Sequence, residues 1–365
     1  MQKILKGYHN IAECLREASS KKYLLVCDAS FPFLAIKDYF DTIDIPYVKF
    51  DSFTPNPLYE DVCKGVKLFR KENCDAIVGI GGGSTLDVAK CIKLYAKMSD
   101  DRLYLEQEYK DTGIPYIAIP TTAGTGSEST RYAVIYYDGK KQSVTHESII
   151  PDYAILEPLL LKTLPLYQKK CTMLDALCQG IESWWSVNSN DESKIYSKTA
   201  VETIIRYWKE YIFDNTDQSC AMIMKAANYA GRAICITQTT APHAFSYKIT
   251  SIFKLPHGHA VAVCLPEIWQ YMLFHPEKCI DNRGNDYLAA IFTDIAHAMG
   301  VYSPESAIDM FRSMLKEMEI GNPVSKNREE ELSILSSSVN PIRLKNNPVE
   351  LDKDVIAILY NKIVI

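Results

Sequence analysis

Apolar runs of strand length alternate with amphipathic stretches in the first 150 residues. Five runs have the length and the apolar character of buried strands. They are residues 22–28, 46–50, 76–80, 116–120 and 131–137. A typical intervening stretch is 56–73, in which Val62, Val66, Leu68 and Phe69 recur at near-helical spacing. This alternation predicts an α/β domain with a parallel sheet and helices on both faces.

The pattern changes near Thr163, after which long helical stretches follow one another with few strand candidates. These stretches include residues 168–186, 195–212 and 220–238. The extended segment 149–158 contains Pro151 and Pro158 and is the natural crossing point. We therefore predict two domains, an α/β domain over residues 1–155 and an all-α domain over residues 156–365.

Composition and charge narrow the class of partner. The 365 residues are 47% hydrophobic and 23% charged, and the net charge is only −5. A charge this mild does not indicate nucleic acid or a membrane surface, so we expect a small-molecule partner. The eleven cysteines lack C-x-x-C spacing, which is typical of reduced thiols in a cytosolic protein. No apolar run approaches the roughly 18 residues of a spanning helix, and no secretory apolar core is present, so we predict a cytoplasmic location.

Three consecutive glycines stand between a strand and a helix in the stretch AIVGIGGGSTLDVAK, residues 76–90. Backbone amides at a helix N-terminus are unpaired and carry partial positive charge, so this turn predicts a phosphate seat. The pattern is neither G-x-G-x-x-G nor the P-loop, and a tight turn without a ligand is the alternative. A second loop, PTTAGTGSEST (120–130), follows another strand at the same sheet edge, where open α/β sheets bind ligands. Two such loops favour a ligand with a pyrophosphate and a further part beyond it.

The candidate cofactor residues lie in these loops and at the end of the first strand. Asp28 is placed to accept hydrogen bonds from a ribose diol and to repel a 2′-phosphate, which favours NAD(H) over NADP(H). A turn or N-cap role for Asp28 is equally compatible with the sequence. The pyrophosphate is predicted on the first loop and the ribose and nicotinamide half on the second. The remaining candidates are Gly82, Gly83, Ser84 and Asp87 in the first loop and helix, and Thr121, Thr122 and Thr125 in the second loop.

A second kind of chemistry is indicated in the helical half. Three of the seven histidines, His243, His257 and His259, lie close together after a long interval without any. Clustering favours a metal site, although a single histidine more often has a structural role. Upstream, Asp175 and Gln179 are four residues apart on one helical face, among apolar neighbours that would bury them. A buried carboxylate needs a partner.

Several motifs resemble the iron-containing (group III) alcohol dehydrogenases in order and spacing, over nearly the whole chain. They are GGGSTLDVAK, PTTAGTGSE, the PD.AI..P segment, DAL..GIES, and a histidine followed 14 residues later by PHG. The resemblance implies the dehydroquinate synthase-like fold, a Rossmann-like dinucleotide-binding domain and a helical domain with the active site in the cleft between them. It also implies NAD(P)H-dependent reduction of an aldehyde with a divalent metal, Fe²⁺ being favoured over Zn²⁺.

The family's four metal ligands correspond by this resemblance to Asp175, Gln179, His243 and His257. Gln179 departs from the family pattern, which has histidine there, and an amide oxygen is a weaker ligand than imidazole for iron or zinc. Tyr247 occupies the place where many members carry a histidine that relays a proton to solvent. A phenol, with an ordinary pKa of about 10, donates less readily than imidazole near neutral pH.

A narrower resemblance rests on the stretches GTGSESTRYAVIYYDGKKQSVTHESIIPDYAIL, LPLYQKKCTMLDALC, HAFSYKIT and PHGHAV. Their combination is most similar to the family members that reduce phosphonoacetaldehyde to 2-hydroxyethylphosphonate. Arg131 and Lys248 would then flank the substrate, since a phosphonate dianion favours cationic partners. Lys141 and His146 are weaker candidates for the same role. Ordinary surface or ion-paired roles for Arg131 and Lys248 are the alternative. With Tyr247 as a hydrogen-bond or proton donor, these two cations complete the predicted catalytic set.

Three other functions share many of these features. A generic dehydrogenase of short-chain alcohols has every cofactor and metal motif. A lyase or cyclase of the dehydroquinate synthase type would use NAD as a recycled catalyst. A cofactor-binding homologue without catalysis is suggested by the departures at Gln179 and Tyr247. The resemblance is also compatible with a homodimer.

Overall fold

The computed structural model describes residues 2–365, except for the side chains of residues 342 and 343, and the chain divides into two compact units. The first unit contains the residues up to Leu164 together with Asn215–Gly231. The second contains Pro165–Asp214 and Arg232–Ile365. The sequence analysis placed a single domain boundary after residue 155. In the structure, the first segment of the first unit ends later, at Leu164, and Asn215–Gly231 also belongs to this unit.

The first unit is built on a six-stranded sheet whose neighbouring strands are all parallel, which confirms the predicted α/β class. The strands of this unit are β1 (Lys3–Lys6), β2 (Tyr23–Cys27), β3 (Tyr47–Phe50), β4 (Ala76–Gly81), β5 (Tyr116–Pro120), β6 (Tyr132–Tyr137), β7 (Lys140–Thr145) and β8 (Tyr153–Leu156). The order in the main sheet is β1-β8-β5-β4-β2-β3. The carboxyl ends of the adjacent strands β4 and β5 therefore lead into the two glycine loops.

Three details of the sheet differ from the sequence prediction. The run 131–137 does form a strand, but β6 pairs antiparallel with β7 outside the parallel sheet. Asp138 and Gly139 both have positive φ and make the two-residue turn that reverses the chain there. The segment 149–158 contains β8, which pairs with β1 and β5. Strand β1 was missed because it is largely exposed, so its sequence KILK lacks a buried apolar run.

Helices cover both faces of the main sheet. They are α1 (Asn10–Glu17), α2 (Tyr59–Lys71) and α3 (Gly83–Tyr95). Successive residues of β4 enter opposite layers, since Ile77 belongs to one apolar cluster while Val78 and Ile80 belong to the other. Burial on both faces is what makes β2, β4 and β5 continuous apolar runs in the sequence.

The second half of the chain is helical, as predicted. Its helices are α4 (Leu166–Trp185), α5 (Asp191–Lys209), α6 (Asp217–Thr237), α7 (Ala241–Phe253), α8 (His257–Phe274), α9 (Asn285–Ala298), α10 (Pro304–Glu317), α11 (Arg328–Ser338), α12 (Pro341–Leu344) and α13 (Lys353–Ile363). In the second unit, α8 lies against both α4 and α7. None of the helices within residues 2–365 has the length and apolar character needed to cross a membrane.

Candidate functional site

Helices α4, α7 and α8 bring three ligand-type side chains of the second unit together. The nitrogen and oxygen atoms that Asp175, His243 and His257 offer to a metal all lie within 4.8 Å of one another. Asp175 and His243 are buried, whereas His257 is partly exposed at the first residue of α8. The Nε2 atom of His243 is 3.2 Å from Oδ1 of Asp175. The predicted carboxylate and the two predicted imidazoles thus form one cluster.

Gln179, the fourth predicted ligand, lies one helical turn after Asp175 on α4. Its side chain is 3% exposed, and its Oε1 atom has no hydrogen-bond partner in the described part of the chain. A buried polar oxygen without a donor is costly, and a cation would satisfy it. A carboxylate, two imidazoles and an amide oxygen are all donor types that divalent transition ions accept. The residues present therefore fit a metal ion.

Neighbouring charged groups shift the pKa values of the side chains in this cluster. Burial acts to raise the pKa of Asp175, but the hydrogen bond with His243 and the proximity of His257 outweigh it and hold the pKa below its usual value. For His243, burial favours the neutral ring, yet Glu182 and Asp175 raise its pKa to about 9. Two carboxylates around two imidazoles make a negatively charged pocket suited to a cation.

Gly258 allows α8 to approach α4 closely. A Cβ atom at this position would lie 1.9 Å from the backbone oxygen of Cys171 and 2.9 Å from Cβ of Asp175. Only glycine permits such a contact, because a backbone oxygen in the middle of a helix cannot turn aside. The close contact places His257, the preceding residue, beside Asp175.

Glu182 is part of this site and was missed as a functional residue by the sequence analysis. It is fully buried on α4, and its Oε1 lies 2.5 Å from Nδ1 of His243. Its Oε2 accepts hydrogen bonds from the backbone N–H of Thr240 at 2.7 Å and from the Thr240 hydroxyl at 2.9 Å. The sequence could have identified Glu182 by its spacing, since it follows Asp175 by seven residues and so lies on the same face of α4.

Tyr247 and Lys248 lie next to the cluster in sequence, one turn after His243 on α7. The ring of Tyr247 stacks on that of His257, with centroids 5.7 Å apart and an interplanar angle of 6°. Lys248 is partly exposed, and its ammonium has neither a hydrogen bond nor an ion pair in the part of the chain that the structure describes. The phenol predicted as a proton donor therefore lies against a predicted metal ligand.

His259 is separate from the metal cluster. It is buried, its Nδ1 lies 2.8 Å from the Tyr167 hydroxyl, and its Nε2 lies 2.7 Å from the backbone oxygen of Gly321. Both nitrogens are thus occupied, and burial lowers the pKa of the ring. This histidine connects α8 to the chain beyond α10 and has a structural role.

The first glycine loop of the first unit has two crowded positions and one open position. A Cβ atom on Gly81 would lie 2.4 Å from Oγ1 of Thr85, and one on Gly83 would lie 2.8 Å from Cγ2 of Thr125. At Gly82, by contrast, the nearest atom would be a Thr122 methyl carbon at 3.6 Å. Gly82 caps α3, whose first amides have no acceptor within the helix. This end of α3 can receive an anion.

The polar residues predicted around these loops mostly brace them against each other. The Thr121 amide donates to the backbone oxygen of Gly81 at 3.0 Å, which joins the two loops. Asp28 accepts hydrogen bonds from Thr85 at 2.8 Å and from the Ser30 amide at 2.9 Å. Ser84, Thr122 and Thr125 are partly exposed at the same edge.

Asp87 also braces the loops, from the side of α3. Its carboxylate accepts hydrogen bonds from the Ser127 hydroxyl at 2.7 Å and from the Val134 amide at 2.9 Å. Burial raises its pKa, and these donors offset part of that effect. The side chain joins the second loop and β6 to α3, beneath the residues predicted to contact a cofactor.

Two of the side chains predicted to bind an anion in the first unit, Arg131 and His146, have partners there. Arg131 forms an ion pair with Glu147, and its guanidinium lies over the Tyr132 ring at 5.6 Å. The hydrogen bond with Glu147 raises the pKa of Arg131. His146 accepts a hydrogen bond from the Ser148 amide at 3.2 Å. Lys141 lies in β7, which pairs with β6.

Comparisons with known proteins agree with the fold and the motifs. The family model "iron-containing alcohol dehydrogenase" matches residues 2–158, and the model "Fe-containing alcohol dehydrogenase family, C-terminal" matches residues 170–364. Phosphonoacetaldehyde reductase from Streptomyces viridochromogenes is 29% identical over 310 residues, covering 81% of this chain and 78% of the relative. 1,3-Propanediol dehydrogenase from Citrobacter freundii is 31% identical, covering 80% and 75%.

A solved structure shows the same fold over nearly the whole chain. It is that of sulfoacetaldehyde reductase from Bifidobacterium kashiwanohense in complex with NAD⁺. The TM-score is 0.88 at 24% identity, and the alignment covers 99% of this chain and 96% of the other.

Proposed function

Since the chain belongs to the iron-containing alcohol dehydrogenase family and is therefore an oxidoreductase, we propose that it reduces phosphonoacetaldehyde to 2-hydroxyethylphosphonate. The reaction consumes NADH and a proton, and the metal is Fe²⁺ in preference to Zn²⁺. The observation that supports the substrate is Lys248, an ammonium without a partner in the described chain, directly after the tyrosine that stacks on His257. The similarity to phosphonoacetaldehyde reductase supports the same substrate.

The metal is proposed to be held by Asp175, Gln179, His243 and His257. When bound, it supplies a Lewis acid for the aldehyde oxygen, and the nicotinamide supplies the hydride. Two features of the chain support this ligand set, the clustered ligand atoms of three of these residues and the unpaired Oε1 of the fourth. The Tyr247 phenol is proposed to donate a hydrogen bond or the proton to the product oxygen.

The anionic group of the substrate is assigned mainly to Lys248. An ammonium without a protein partner can bind a phosphonate without first giving up another contact. Arg131 is a second candidate, but its guanidinium would have to leave Glu147 or share it. Because a neutral aldehyde has no charged group for either residue, the two classes of substrate should be distinguished by their kinetics.

The dinucleotide is proposed to bind at the glycine loops of the first unit. Its pyrophosphate would contact Gly82, Gly83 and Ser84 at the N-terminus of α3, where unpaired amides favour an anion. Asp28 retains acceptor capacity at the end of β2 and would disfavour a 2′-phosphate, so NADH is preferred, with NADPH as the alternative. Thr121, Thr122 and Thr125 would line the ribose and nicotinamide half, and Asp87 would support them from below.

The substrate assignment is tested by anaerobic oxidation of NADH with the Fe²⁺-loaded protein. We expect kcat/KM to be at least ~100-fold higher for phosphonoacetaldehyde than for propionaldehyde, about 2.7 kcal/mol of transition-state preference. Replacing Lys248→Met removes the charge and keeps most of the side-chain length. It should raise KM for phosphonoacetaldehyde by roughly 10- to 100-fold, because a charge-assisted hydrogen bond contributes about 1.5–3 kcal/mol. Propionaldehyde kinetics should stay unchanged.

The matched control is Lys248→Arg, which keeps the charge and should retain the preference. Arg131→Met should have the smaller effect of the two methionine variants, because Arg131 already has a carboxylate partner. Comparable rates with both aldehydes would leave a generic short-chain alcohol dehydrogenase, an alternative that the similarity to a 1,3-propanediol dehydrogenase also supports. No turnover of NADH or NADPH with any metal would favour a catalytically inactive homologue.

The cofactor assignment is tested at the open position of the first loop. Gly82→Ala should leave the melting temperature unchanged, since the added carbon meets no protein atom closer than 3.6 Å. The same carbon would hinder close approach of a pyrophosphate to the backbone, so the Kd for NADH should rise at least about tenfold, roughly 1.4 kcal/mol. Fluorescence titration with NADH measures the effect, and unchanged affinity would place the cofactor elsewhere.

The eleven cysteines all have free thiols in the structure. The cytoplasmic location and the homodimer stay predictions, which rest on the sequence and on the family resemblance.

A further inference from the structure

We propose that Glu182 is a positioning residue that determines which nitrogen of His243 binds the metal. The inference rests on the metal site of the proposed function and concerns a residue outside the four ligands. Glu182 contacts neither substrate nor cofactor in this proposal. It acts through the orientation and protonation of the imidazole.

The argument begins with the hydrogen bonds at Thr240, the residue that caps α7. The indole nitrogen of Trp185 donates to Oγ1 of Thr240 at 2.9 Å, and an indole N–H can only donate. The proton of the Thr240 hydroxyl is therefore directed elsewhere, to Oε2 of Glu182 at 2.9 Å. The backbone N–H of Thr240 donates to the same oxygen at 2.7 Å. Two donors thus hold one oxygen of Glu182 as an acceptor.

The other carboxylate oxygen, Oε1, lies 2.5 Å from Nδ1 of His243. One proton is shared between these atoms, and it resides on the nitrogen because imidazole is more basic than a carboxylate. Nδ1 therefore donates to Glu182, which leaves Nε2 as the nitrogen that gives up its proton and offers a lone pair when a metal binds. This nitrogen is the one that lies 3.2 Å from Oδ1 of Asp175, within the ligand cluster.

The ion-pair partner of Glu182 is His243. Glu182 is fully buried, and no lysine or arginine pairs with it in the described residues. A carboxylate that accepts from the far nitrogen of a ligating histidine fixes the ring and makes it a stronger ligand. The contribution of such a carboxylate to metal affinity is larger where the other ligands are weak. Gln179 is a weak ligand of this kind, because it supplies a neutral amide in place of the family's imidazole.

The decisive variant is Glu182→Gln, which keeps the size of the side chain. The two Thr240 donors require the amide oxygen on their side, which places the amide NH₂ against Nδ1 of His243. Nδ1 must then accept, and the proton moves to Nε2, where it competes with the metal. We expect the Kd for Co²⁺, measured by competition with a chelator, to rise about 10- to 100-fold. The visible absorption of the remaining Co²⁺ complex should also change, since it reports the ligand set.

Glu128→Gln is the matched control. Glu128 is also a buried carboxylate, but it lies in the first unit, where it accepts from Asn228 at 3.0 Å. This variant should leave the Co²⁺ affinity unchanged. Should Glu182→Gln fail to fold, Thr240→Val removes the hydroxyl donor and is expected to raise the Kd, whereas Thr240→Ser retains it and should not.

The outcomes separate this inference from the proposed function. The inference would be overturned if Glu182→Gln lowered the melting temperature of the metal-free protein but left the affinity for Co²⁺ and the spectrum of the Co²⁺ complex unchanged. That result would show a purely structural role. Failure of the unmodified protein to bind Co²⁺, Fe²⁺ or Zn²⁺ would overturn the metal site itself. A substrate other than phosphonoacetaldehyde would leave the inference intact, because the test uses the metal alone.

Discussion

His257→Ala is expected to lower kcat/KM for aldehyde reduction by about three orders of magnitude. The variant removes one imidazole from the ligand cluster and the ring on which Tyr247 stacks. Loss of a Lewis acid removes several kcal/mol of transition-state stabilisation, and about 4 kcal/mol corresponds to this factor. Bound metal, measured by elemental analysis after dialysis, should fall in parallel. Since His257 is partly exposed, the fold should persist.

His259→Ala is the matched control, two residues along the same helix. Its hydrogen bonds go to Tyr167 and Gly321, so its loss should lower the melting temperature and leave the metal content of the folded protein unchanged. Full metal content and activity in His257→Ala would contradict the proposed ligand set.

Gly258→Ala is expected to disrupt the metal cluster through the backbone alone. The added methyl group would overlap the backbone oxygen of Cys171 at 1.9 Å, so α8 would have to move away from α4. Overpacking of this kind costs about 1–3 kcal/mol of folding free energy. A displacement of about 1 Å between the ligands would lower kcat/KM by roughly 100-fold. Chemical denaturation measures the first effect, and metal titration with steady-state kinetics measures the second.

Gly321→Ala provides the comparison for that variant. Its φ is not positive, and a Cβ atom there would have no neighbour within 4 Å, so stability and metal affinity should match those of the unmodified protein. If Gly258→Ala bound metal with normal affinity, the close contact between α4 and α8 would not be what aligns His257 with Asp175.

The sequence predicted the elements of the fold well where burial is complete. Strands β2, β4 and β5 are buried on both faces, and complete burial requires continuous apolar runs that can be seen without a structure. Strand β1 and the hairpin partner of β6 were not recovered. Half-exposed strands tolerate charged residues, and the pairing direction of a strand depends on neighbours that are distant in the sequence.

The candidate site was likewise predicted only in part from the sequence. The resemblance to the family was enough to predict Asp175, Gln179, His243 and His257 as ligands, because the motifs that carry it contain an i, i+4 pair and two later histidines. The structure brings three of these ligand-type groups within 4.8 Å and leaves Oε1 of the fourth without a partner, but the metal site itself stays a proposal.

The sequence by itself determined the fold class, the glycine loops at a sheet edge and the family, because each is encoded in local periodicity or in short motifs. Only the tertiary structure decided that Arg131 pairs with Glu147 while the Lys248 ammonium has no partner in the described chain. It also decided that Glu182 and Thr240, 58 residues apart, share hydrogen bonds beside His243. Such contacts depend on how helices pack in space, and no local pattern in the chain specifies them.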